Sequence, residues 1–210
     1  MRNTWLLTIA VLPACITTDD PRRVEATWTI VRLDGTAASC PPSWRTTRLV
    51  MADTLHPDVR IVDRFTCTAG EGESSHLPAD SYVSWLEFLD ADDQIVATSF
   101  QTTVDVKPFA PAIASKIYVD AGFVALSWSF ANPAGSCSVG WDPFLDIALS
   151  LSGPTSVTNL FSCHDTNGIT APLPPGDYHA WLGQGVQGHD IPDIVIEAPN
   201  RVTDLGHVTF

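Results

Sequence analysis

Basic residues are scarce in this chain. Lys and Arg number 11 against 24 Asp and Glu, which leaves a net charge of −13 over 210 residues. No basic stripe gathers the few cations, so phosphate backbones would be repelled, which argues against a nucleic-acid partner. Helical periodicity is missing as well. No amphipathic pattern runs ten residues uninterrupted, and 16 prolines and 13 glycines punctuate the chain at short intervals. Catalytic and metal signatures are also wanting: there is no CxxC pair, no HExxH and no GxSxG elbow. Charged residues make up only 17% of the chain, with Ala, Val and Thr filling the difference, a β-rich globular composition rather than a disordered one.

One apolar run is present, at the N-terminus. "MRNTWLLTIAVLPAC" places Arg2 before an apolar stretch from Trp5 to Leu12. That is the layout of a secretory signal, and it falls short of the ~20 apolar residues of a membrane-spanning helix. The pattern "LPAC" resembles the lipobox of bacterial lipoproteins. The resemblance implies cleavage after residue 14, a diacylglycerol thioether on Cys15 and a short lipidated tether over 15–23. It also implies sorting to the outer membrane, because Ile16 is not the Asp that retains such proteins at the inner membrane. Two or three acyl chains hold a protein stably where one does not.

The chain is internally duplicated. "VEATWTI…SCPPSW…RFTC…LPADSYVSWL" matches "VALSWSF…SCSVGW…LFSC…LPPGDYHAWL". Trp28 aligns with Trp128, Cys40 with Cys137, Trp44 with Trp141, Cys67 with Cys163, Tyr82 with Tyr178 and Trp85 with Trp181. With five cysteines in the chain, Cys15 stands apart, and four others allow three pairings. If each repeat is self-contained, only Cys40–Cys67 and Cys137–Cys163 keep each bridge within its own unit. Such bridges fit an oxidising compartment.

Short strands follow from period-two alternation. In "LDIALSLSG", Leu145, Ile147, Leu149 and Leu151 share one face. "LEFLDADDQIVATSF" reads as strand, turn, strand, and its acidic tip lacks the glycine and bidentate Glu of a calcium loop. The expected fold is all-β: two tandem disulfide-stapled β-sandwiches over 24–108 and 109–210, joined near "KPFAPA". "IYVDAGFVALSWSF" is expected as a hairpin-like lead to the second. Trp28, Trp85, Trp128 and Trp181 are expected to fill the cores.

"LPPGDYHAWL", its looser partner "LPADSYVSWL" and the closing "NRVTDLGHVTF" resemble the turn and final strand of transthyretin-like, carboxypeptidase-regulatory-like and collagen-adhesin stalk β-sandwiches. The resemblance implies a stalk, spacer or binding module. Isopeptide-forming stalks pair a Lys with Asn or Asp. Lys107 and Lys116 are the sole lysines and both lie at the joint, which does not suit that chemistry.

Two further candidates remain. Trp44 and Trp141 each follow a first cysteine by four residues, where loops end. Core packing explains their recurrence, and a solvent-facing platform for a glycan or protein partner is the alternative. His164, His179 and His189 could ligate a metal only by converging, and solvated loop histidines are the simpler account. The functional expectation is a membrane-anchored envelope lipoprotein that acts as a non-catalytic binding or structural module for adhesion, envelope interaction or as an accessory subunit, with no cofactor. The alternative is a carbohydrate-active or metal-dependent envelope enzyme.

Overall fold

Alternation of inward apolar and outward polar side chains builds the strands. A computed structural model of the chain describes residues 22–106, 111–130, 146–184 and 187–210. Among these the structure is all-β, with a single 3-10 turn at Cys67–Ala69 and no helix long and apolar enough to cross a membrane. The first repeat holds β1 (Glu25–Val31), β2 (Thr46–Asp53), β3 (Arg60–Thr66), β4 (Glu71–Glu73), β5 (Ser81–Leu89), β6 (Ile95–Thr98), β7 (Thr102–Asp105) and β8 (Ala112–Tyr118). One sheet runs β4-β1-β8; the other runs β3-β2-β5-β6, with β7 also on β5. Trp28 and Ile30 of β1, Leu49 and Met51 of β2, and Leu86 and Phe88 of β5 close the core between them.

The second repeat follows the same plan. β9 (Phe123–Ser129), β12 (Asn167–Ile169) and β15 (Val202–Thr209) form a sheet in the order β12-β9-β15. β10 (Ile147–Ser152), β11 (Ser156–Phe161), β13 (Gly176–Gln184) and β14 (Gln187–Ile196) form the other, in the order β11-β10-β13-β14. Ile147, Leu149 and Leu151 all point into its core, as their spacing requires.

The duplication extends to single hydrogen bonds. Tyr82 Oη donates to the Pro78 carbonyl at 3.3 Å, and Tyr178 Oη to the Pro174 carbonyl at 3.0 Å. Burial raises both phenols above their ordinary value, with Asp80 and Asp53 adding to the effect at Tyr82. Each hydroxyl therefore stays a donor through neutral pH. The amide of Val24 donates to Ser74 Oγ at 2.9 Å, and that of Val124 to Thr170 Oγ1 at 3.0 Å. The Phe65 ring covers Gly72 as the Phe161 ring covers Gly168, and a Cβ on either glycine would stand 2.6 Å from that ring.

The disulfide Cys40–Cys67 is formed, with Cα atoms 6.1 Å apart across 27 residues of sequence. The Trp28 indole donates to the Cys67 carbonyl at 2.9 Å, so the bridge is tied to the core aromatic beside it. Cys163 is buried and disulfide-bonded, while Cys137, the partner expected for it, lies outside the described residues, as do Cys15 and Trp141.

Two expectations are corrected. The stretch over 112–118 does not lead into the second repeat. As β8 it pairs in parallel with β1 over seven residues and sends Ile113 and Ile117 into the first core. β15 does the same for β9. The segment at 112–118 thus pairs with the first sandwich, and the strands of the second begin at β9. Trp85 and Trp181 do not fill the cores, since both stand on outward faces and are half-buried. Trp44 packs in the core, the reading that its recurrence favours, and not as the alternative platform: it is only 6% exposed, with its ring centroid 5.2 Å from that of Phe88.

Asn200 bonds across the two repeats. Asn200 is 1% exposed and belongs to the turn between β14 and β15. Its Oδ1 accepts the Tyr118 amide at 2.9 Å, and its Nδ2 donates to the Thr98 carbonyl at 2.6 Å. Its own amide donates to the Ala121 carbonyl at 2.7 Å, and its φ of +49° is one that asparagine tolerates. Phe123 packs edge-on against Phe100 and Tyr118, at centroid distances of 4.8 and 5.8 Å.

One core position is suboptimal. Thr47 is fully buried on β2, and its hydroxyl has no hydrogen-bond partner. Thr47→Val keeps the shape and removes the orphaned oxygen, so it should stabilise the chain by about 1–2 kcal/mol. A urea midpoint that rises without a change in slope is the expected reading, and a lowered midpoint would contradict it.

Candidate functional site

The histidines are not brought together. His179 faces outward from β13, with Nε2 3.5 Å from Asp190 Oδ1, and both side chains are more than half exposed. His189 stands opposite the inward Leu182 on β14, and its ring lies 5.3 Å from that of Phe210. His164 is exposed in the segment after β11. Among the described residues no group of three His, Cys, Asp or Glu could hold a metal. His207 engages Ser127 Oγ through Nδ1 at 3.0 Å and Ser129 Oγ through Nε2 at 2.8 Å. Serines take both ring nitrogens, so no carboxylate orients this imidazole as a general base would require. The acidic hairpin tip is a turn: Asp90 Oδ1 accepts the amides of Asp92 and Gln94, each at 2.9 Å.

The duplicated outward tryptophans are what remains. On β5, Tyr82, Leu86 and Phe88 point inward, while Val83 and Trp85 face the other way. The Trp85 indole N–H donates to Glu87 Oε1 at 2.9 Å. Glu87 Oε2 accepts Arg48 Nε at 2.9 Å, and the Arg60 guanidinium lies over the Trp85 ring, 5.7 Å from its centroid. Arg48 stands directly across from Arg64, a costly pairing of like charges that Glu87 on one and Asp93 on the other offset. The first-copy tryptophan is therefore committed: its N–H is bound and one face carries a cation.

The second copy differs. The Trp181 ring lies against the backbone of the neighbouring strand at Gly188, where a Cβ would come within 2.6 Å of it. Only glycine leaves the indole room there. Across the sheet, register aligns Thr158, Ser150, Trp181 and Asp190 in one outward row, and Ser156, Ser152 and His179 in the next. Ser150 Oγ and Thr158 Oγ1 are 3.1 Å apart. The row on the other side of Trp181 runs Leu160, Ala148, Gly183 and Gly188, and Leu160 is 63% exposed. A shallow groove of about 340 Å³ lies among Ser150, Ser152, Ser156, Thr158, His179 and Trp181. Among the described residues no protein acceptor takes the Trp181 indole N–H, and it is not sealed from solvent.

Sequence comparison finds no matching family model and no matching curated protein. Among solved structures, the chain is similar to GBS52, the minor pilin of Streptococcus agalactiae. The two are 11% identical, 90% of this chain and 95% of that one are covered, and the TM-score is 0.34. It is also similar to a candidate cell adhesion protein of Bacteroides ovatus, with 11% identity, 90% and 92% coverage and a TM-score of 0.33.

Proposed function

We propose that the chain is an envelope lipoprotein tethered through Cys15, and that its twin sandwiches form a non-catalytic binding module that presents an outward sheet face to a partner. The observation that carries this reading is Trp181. Large aromatic side chains normally contribute their area to a core, and here one is held flat on the outside by a glycine, with its N–H unspent. The lipobox-like "LPAC" and the disulfide Cys40–Cys67 agree with an exported, anchored protein.

Fractionation of producing cells tests the tether. The unaltered chain is expected in the membrane fraction, with two or three fatty acyl groups on the peptide that begins at Cys15. Cys15→Ser should move it to the soluble fraction. Recovery of an unacylated chain, or of Cys15→Ser still in membranes, would refute the anchor.

A further inference from the structure

We infer that the outward face around Trp181 is a binding site for a neutral polysaccharide, engaged through one hexopyranose ring stacked on the indole; this rests on the binding-module reading above. The Trp181 ring packs over Gly188 of the neighbouring strand, where a Cβ would stand 2.6 Å from it, so the sheet backbone supports one side of the indole. A sugar ring offers a face of C–H groups to such a surface and hydroxyls around its rim. The rim here meets matching groups: Ser150, Ser152, Ser156 and Thr158 line one side, His179 and Asp190 lie at one end, and the indole N–H itself is available. Hydroxyls both donate and accept, so this row can satisfy sugar hydroxyls in either sense.

Charge selects among ligands. After Lys116 the sequence contains one Lys or Arg, Arg201, and that guanidinium sits at the joint, 3.7 Å from Glu197. No permanent cation of this repeat therefore stands at the groove to neutralise a phosphate, sulfate or uronate, and its one imidazole, His179, already faces Asp190. A protein partner is disfavoured by composition. Stable protein interfaces need roughly 800 Å² per side with an apolar centre, whereas the large apolar side chains in these three rows are Trp181 and Leu160 alone, in separate rows, with hydroxyls lining the groove. The groove, about 340 Å³, is at the small end for ligand sites and suits one ring of a chain that continues beyond it.

The test uses the mature full chain on an array of neutral hexopyranose oligosaccharides, with polygalacturonate as the anionic control, followed by titration against the strongest neutral hit. The expected result is binding of at least one neutral oligosaccharide with quenching of tryptophan fluorescence, and none of polygalacturonate. Trp181→Ala should weaken it about tenfold or more, the scale of one lost aromatic stack. Trp181→Phe should recover part of it, and Trp85→Ala should leave it unchanged. Absence of any neutral hit, or a hit indifferent to Trp181→Ala, would overturn the site. Binding of polygalacturonate alone would overturn it too, while leaving a binding module in place. Membrane fractionation and the acyl mass at Cys15 read the parent proposal separately, so failure of one is distinguishable from failure of the other.

Discussion

Cys40→Ala/Cys67→Ala should be the most damaging change in the first sandwich, lowering its stability by about 3–4 kcal/mol on chain-entropy grounds. The bridge closes a loop of 27 residues in sequence, and its removal frees that loop in the unfolded chain. The native contacts around it remain, since the Trp28 indole bonds to the Cys67 backbone carbonyl rather than to sulfur. For a unit of this size each kcal/mol is worth about 4–8 °C, so the thermal midpoint of the first repeat should fall by roughly 12–30 °C. Differential scanning calorimetry of the unaltered and doubly substituted chains gives the reading. The transition of the second repeat, where Cys163 remains disulfide-bonded, serves as the internal reference. A shift of only a degree or two would mean that the loop is already restrained in the unfolded state, and the entropic account would fail. Reduction with dithiothreitol should lower both transitions.

The duplication and the Cys40–Cys67 bridge were legible in the sequence because both depend on spacing alone. The outward tryptophans follow from the strand period only once the face taken by the tyrosine is known. Tyr82 and Trp85 are three residues apart, as are Tyr178 and Trp181. In a strand an odd separation puts the two on opposite faces, so once tyrosine is fixed inward by its bond to the carbonyl four residues earlier, tryptophan must face outward. The role of β8 was not legible. "AIASKIY" and "VTDLGHVT" share almost no residues, although both pair in parallel with the first strand of their repeat, because an edge strand needs only a few inward apolar positions and leaves the rest free to drift. Trp44 shows the converse: a residue between prolines and an arginine reads as a loop end, yet the chain folds it back onto Phe88.

Asn200 had no local signal at all. It follows a proline in a turn, where asparagine is commonplace. Its bonds reach Tyr118 and Thr98, residues 82 and 102 positions away, and no local pattern encodes such distances. Its side chain satisfies a buried amide and a buried carbonyl at once, which none of the apolar residues and no hydroxyl-bearing residue of that reach can do. Asn200→Ala should therefore cost more than two ordinary hydrogen bonds. The Tyr118 N–H and the Thr98 C=O would be left unpaired at a site only 1% exposed, for a loss of about 2–4 kcal/mol. Asn200→Asp keeps the acceptor for Tyr118 but sets a carboxylate against the Thr98 carbonyl, so it should be at least as harmful. The loss should fall on the coupling between repeats. The unaltered chain should melt with overlapping transitions, and Asn200→Ala should separate them and raise the radius of gyration in small-angle scattering as the joint loosens. If the transitions keep their spacing and the scattering profile is unchanged, the stitch does not hold the repeats together, and the Phe100–Phe123–Tyr118 contact alone must set their relation.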